Sequence, residues 1–183
     1  MPTHDEVLRA VQEAGDVELL DWVQAPGDYT LRRVDFEGLT GHRVFRVMPK
    51  SLSHPLAFYV AEGADGRAVV TSGHVAGVAE LVRSEPGLLR GPGGAARLLE
   101  LWCDTADACT LVEDGSSLTG VSADLSLQVL PALVEPAGTG WRVQMHVLDD
   151  AGQLQRWRLD VPAAGNATAS RDTLATDVSR VRP

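Results

Sequence analysis

Two stretches of strict alternation near the C-terminal end limit what this chain can fold into more than any other feature. Trp141, Val143, Met145 and Val147 alternate with Arg142, Gln144 and His146. After the turn Asp149-Asp150-Ala151-Gly152, the residues Gln155, Trp157, Leu159 and Val161 alternate with Arg156, Arg158 and Asp160. A period of two sends alternate side chains to opposite faces of a pleated strand. The Gly-containing turn folds the second strand back on the first. These residues predict an antiparallel hairpin with one buried and one wet face. Both strands carry Trp and Val inward, which places the hairpin in the middle of its sheet.

The remaining elements follow from period and punctuation. Thr3 and Glu6 form a capping box, Asp5 adds charge to the first turn, and Gly15 ends the run of Val7, Leu8, Val11 and Ala14, so a helix is expected over 4–14. From Val17 to Val47 the pattern reads as two or three strands. Leu56–Val60 and Ala68–Thr71 flank Gly63-Ala64-Asp65-Gly66 as a second hairpin. Val75, Val78, Ala79 and Val82 share a helical face that Pro86-Gly87 ends. Residues 87–94 hold four Gly and one Pro and read as a linker, a mobile loop or a sub-boundary. Ala95, Leu98, Leu99, Trp102 and Ala106 make a helical stripe over 95–107. Leu125, Leu127 and Val129 alternate as a strand, and residues 167–175 add a last one. The expected architecture is one α+β domain over 1–183. It has an antiparallel sheet of about six to eight strands and about three helices on one face.

Composition then narrows the function. The chain has 25 acidic and 16 basic residues and a net charge of −9, so it does not resemble a nucleic-acid binder, which neutralises phosphates with a basic surface. No run of about 20 apolar residues is present, which speaks against a membrane-spanning helix. There is no Ile, one Lys and one Asn, a bias expected of GC-rich coding, so Arg is the default cation rather than a sign of phosphate recognition. The opening Met-Pro-Thr-His-Asp-Glu lacks the basic and apolar regions of a signal peptide, and a cytoplasmic location is expected. The two cysteines, Cys103 and Cys109, are too few for a disulfide scaffold or structural zinc site and are expected as reduced thiols.

One charge feature stands out. Between Arg97 and Arg142 there is no Lys or Arg, yet the segment holds Glu100, Asp104, Asp107, Glu113, Asp114, Asp124 and Glu135. Removing those seven from the 25 acids leaves 18 against 16 bases, so most of the net charge resides here. A shared face would attract a basic protein partner, and Glu100, Asp104, Asp107, Glu113, Asp114 and Asp124 are the expected binding residues. Solvation of a plain acidic surface is the competing account. Their spacing does not match a calcium loop. The leading expectation is therefore a non-catalytic interaction module of the immunity, antitoxin or adaptor kind.

Catalytic patterns are incomplete. Val69-Val70-Thr71-Ser72-Gly73-His74-Val75 resembles the segment around the catalytic histidine of trypsin-like serine proteases, which implies a His74 general base. That family also needs a serine followed by glycine to build its oxyanion hole, and neither Ser116 nor Ser122 is so followed. As a hydrolase, the chain would use His74 with Asp104 or Asp107 orienting it. Gly73-x-x-x-Gly77 opens a helix where phosphate can sit on free amides. It has neither the dinucleotide spacing nor a phosphate-loop lysine, and close helix packing accounts for Gly77 equally well. His4, His42, His54 and His146 form no local ligand pattern, so no metal and no cofactor are expected. A small-ligand pocket between sheet and helices is the third functional class considered.

Overall fold

Thr3 and Glu6 close the expected capping box at the start of α1 (His4–Ala14), and Gly15, in the left-handed region at φ 73°, ends it. The computed structural model describes residues 1–50, 57–103 and 109–181. Asp16 caps a second short helix, α2 (Val17–Trp22), through Leu19 N–H at 2.9 Å, where the sequence reads as strand. Six residues with one cap outweigh their β-branched start, because Leu19 packs against α1.

Strands β1 (Tyr29–Val34), β2 (His42–Pro49), β3 (Phe58–Gly63) and β4 (Ala68–Val70) follow as an antiparallel meander in that order. The predicted hairpin at Gly63–Gly66 is its last turn. β3 is buried along its whole length because the sheet is covered twice. Val7, Ala10 and Val11 of α1 pack on one face against Phe58, Val60 and Val70. On the other face Tyr59 and Ala61 meet α3 (Val75–Ser84) and α4 (Gly94–Trp102). Between those helices Pro86–Leu89 forms a 3-10 turn whose Leu88 and Leu89 are buried in the same central core.

The second sheet packs on the far side of that helical layer. It holds β5 (Cys109–Val112), β7 (Leu133–Ala137), β8 (Gly140–Asp149), β9 (Leu154–Val161) and β10 (Thr168–Ala175), while β6 (Leu118–Thr119) pairs with β11 (Ser179–Arg180) in a two-stranded ribbon. β8 and β9 are the predicted hairpin and lie inside the sheet, with β10 on one side and β5 and β7 along the other. Val143, Met145, Val147, Trp157, Leu159 and Val161 face the central core. The wet face is a lattice of opposite charges, with Arg142 on Asp160 at 2.8 Å and Arg158 on Asp172 at 3.3 Å. Gln155, the one polar member of the inward series, accepts the Trp157 indole N–H at 2.7 Å.

The fold is therefore α+β in one compact unit, as expected. The eleven strands among the described residues lie slightly above the predicted range and are shared among three antiparallel sheets instead of one. Helices cover both faces of the first sheet, not one face of a single sheet. Two further readings change. The expected strand at 125–133 begins as a helix, α5 (Ala123–Gln128), because Ser122 accepts Leu125 N–H at 3.2 Å and Asp124 stands in the first turn. The thiols expected to be reduced form a Cys103–Cys109 disulfide, since α4 ends and β5 begins with their Cα atoms 6.1 Å apart, within bridging range. No helix among the described residues is long and apolar enough to cross a membrane.

Candidate functional site

Of the acidic residues singled out in the sequence, three come together at one corner of the second sheet. Glu113 and Asp114 follow β5 and lead into a 3-10 turn at Gly115–Ser117. A methyl group on Gly115 would overlap the Ser126 carbonyl oxygen, so the turn lies directly on α5, the helix that carries Asp124 in its first turn. Asp114 accepts the Ser116 hydroxyl at 2.7 Å and its N–H at 2.8 Å, which hold the carboxyl below its ordinary 3.8. All three carboxylates are exposed, and none forms an ion pair among the described residues.

The other acids lie elsewhere. Glu100 projects from α4 and accepts the hydroxyl of buried Tyr59 at 3.0 Å, on the side of the first sheet. Glu135 on β7 faces Arg142 at 3.8 Å. Asp104 and Asp107, together with His54, lie outside the described residues.

The same corner carries an apolar strip that sequence reasoning missed. Leu127, Leu130 and Leu133 are 80%, 59% and 47% exposed, far more than the leucines of the core. Reading 125–133 as a strand turns Leu127 inward with Leu125. In a helix Leu125 and Val129 share a face and pack into the small core with Val112, Leu148, Leu154 and Val178, while Leu127 points away. The signal that favours the helix is Ser122 followed by Asp124, a helix start.

His146 anchors this strip from below. It is buried on β8, and its Nδ1 lies 3.2 Å from the Leu130 carbonyl oxygen. Burial pushes its pKa below the ordinary 6.5; the Leu130 carbonyl opposes this and Arg156 adds to it. A second buried titratable group, Glu85 at the end of α3, accepts from the Thr40 and Gly41 amides, the Thr40 hydroxyl and His42 Nδ1. Burial pushes its carboxyl up, but those donors prevail and hold it below 4.5.

Both groups bind protons less readily folded than unfolded, so each contributes stability above its unfolded pKa that is lost on acidification. The thermal midpoint is expected to fall as pH drops below 6.5 and again below 4.5, the ordinary values of His146 and Glu85. In His146→Gln, which keeps a donor for Leu130, the first decline should vanish. A midpoint flat between pH 7 and 5 in the native chain would contradict the assignment.

His74, the sequence candidate for a general base, is the N-cap residue of α3. Its Nε2 lies 3.1 Å from Asp16 Oδ2; Asp104 and Asp107, expected to orient it, fall outside the described residues. His74 borders a cleft of about 290 Å³ between α1, β4 and α3, where Arg67 stands between Glu80 at 3.0 Å and Glu13 at 3.7 Å. A His–Asp pair can hold and move a proton. The hydroxyls beside it in sequence are already engaged and buried: Ser72 Oγ accepts Tyr59 N–H at 2.9 Å, and Thr71 donates to Tyr59 O at 3.4 Å. Gly77 is explained by packing, because its Cα abuts the Val70 carbonyl. Among the described residues no three His, Cys, Asp or Glu side chains converge as metal ligands. Comparison with known protein families, with curated proteins and with solved structures finds no match to this chain.

Proposed function

We propose that this chain is a non-catalytic interaction module that engages a basic protein partner at the corner formed by the 113–117 turn, α5 and the start of β7. The observation that carries this reading is the juxtaposition of Glu113, Asp114 and Asp124 with three leucines exposed in series. Exposed apolar surface rimmed by polar groups is where protein partners dock. Carboxylates without cationic partners repel anionic surfaces and steer cationic ones. Of the residues expected from sequence to bind, Glu113, Asp114 and Asp124 form this rim.

The test uses the full chain, isotope-labelled, and a Leu/Lys peptide of scrambled order as a minimal basic probe. Amide shifts are expected to concentrate at residues 113–133 and to saturate. Glu113→Gln with Asp124→Asn should weaken binding about three- to tenfold, the range for two partly exposed charge contacts. Asp114 is left intact because it caps its own turn. Shifts spread evenly over the acidic surface, or centred on the His74 cleft, would defeat the proposal.

A further inference from the structure

We infer that the partner presents a basic amphipathic α-helix, its apolar stripe laid along Leu127, Leu130 and Leu133 and its cations against Glu113 and Asp124. This rests on the docking role proposed above and adds the form of the occupant.

The strip has a direction. Leu133 pairs with Gln144 of β8, and the Leu130 carbonyl meets His146 two residues further along the same strand. Two strand residues separate these leucines by roughly 7 Å. Leu127 stands in the last turn of α5, which ends at Gln128; three residues of chain keep it within about 10 Å of Leu130, so the strip is no longer than roughly 17 Å. Side chains at i, i+4, i+7 and i+11 of a docked helix, a rise of about 16 Å, cover that length.

An extended partner would fit the same spacing only by adding a strand to this edge, which offers few outward donors. β7 and β8 are joined through Gly138-Thr139, with Ala137 opposite Gly140. The closing pair of a two-residue hairpin is hydrogen-bonded, so alternation directs the backbone groups of Glu135 and Leu133 toward β8 and those of Val134 and Pro136 outward. Pro136 has no N–H to offer. Along β5, the other half of the edge, the Leu111 carbonyl already accepts the Arg180 guanidinium. Along β7 Val134 alone offers an outward N–H, too little for a strand ladder, so side-chain packing is the favoured mode. The acidic rim opposes an anionic lipid surface and favours a cationic helix.

The experiment compares two Leu/Lys peptides of about 18 residues and identical composition, one patterned at helical period and one strictly alternating. Anisotropy with the full chain should show saturable binding of the first, with gain of peptide helicity by circular dichroism. The alternating peptide should bind at least about tenfold more weakly. Leu127→Ser with Leu130→Ser should weaken the helical peptide about tenfold or more without lowering the thermal midpoint, as expected for exposed side chains.

Equal binding of both peptides, abolished by the serine variants, would overturn the helical mode and leave the docking corner standing. Binding indifferent to the serine variants and to Glu113→Gln with Asp124→Asn would overturn both, as would no binding of either peptide. Cosedimentation with phosphatidylserine vesicles, lost in the serine variants, would replace the helix by a lipid surface.

Discussion

Trp102→Ala is expected to lower the unfolding free energy by about 3–5 kcal/mol, the range for truncating a large aromatic in a packed core. Trp102 ends α4 and is completely buried. Its ring meets Trp157 of β9 edge to face, with centroids 4.9 Å apart. The Arg171 guanidinium lies 3.9 Å above Trp157 and 5.4 Å from Trp102, closing the stack toward solvent. One indole thus ties the helical layer to the second sheet. Alanine would leave a cavity that neither element can fill without sliding. Trp102→Phe keeps an edge-to-face partner and should retain most of the stability. Denaturant unfolding followed by circular dichroism gives the comparison, and an alanine loss under about 1 kcal/mol would show that the pair does not join the layers.

The second large effect concerns a much smaller side chain. Gly77→Ala is expected to destabilise by about 3 kcal/mol, the upper part of the range for overpacking. A methyl group there would overlap the Val70 carbonyl oxygen, and both are backbone-fixed, so relief requires moving α3 off β4. Exposed Gly91 provides a contrast: an added methyl would touch nothing, and with a φ of 74° only backbone strain is at issue. If Gly77→Ala melts at the native temperature, the close crossing of α3 over β4 is wrong.

Displacing α3 would also part His74 from Asp16 and Glu85 from His42, since those residues cap its two ends. The acid sensitivity expected of Glu85 should therefore shrink in Gly77→Ala. The docking corner lies on the outer side of the second sheet and should bind its basic peptide with little change. Stability and the proposed binding are separable in this molecule for that reason.

Much of the fold is legible in the residues. The capping box at Thr3, the hairpin at Gly63–Gly66, the helix from Val75 and the central β8–β9 hairpin all follow from local period and punctuation, and Thr168–Ala175 joins the sheet as expected. Where sequence and structure part, two local signals compete. Leu125, Leu127 and Val129 satisfy a two-residue alternation, but positions i and i+4 satisfy a helix as well, and the Ser122 cap tips the balance. At Val17 the cap Asp16 does the same. The site is half legible. Charge accounting identifies the segment that contains Glu113, Asp114 and Asp124, but not which of its acids stand together. The leucines beside them go to the wrong face along with the strand.

Backbone geometry repeats every two or 3.6 residues, so a short window of side chains already selects strand or helix and marks the turns between them. Those choices are present in the chain before any contact forms. Which distant groups meet depends instead on how the elements stack, and no window of sequence contains that information. Cys103 reaches Cys109 and Glu100 joins Tyr59 because two sheets pack on opposite sides of one helical layer, His74 finds Asp16 because α1 and α3 flank β4 from opposite faces, and the turn after Glu113 comes to rest on α5.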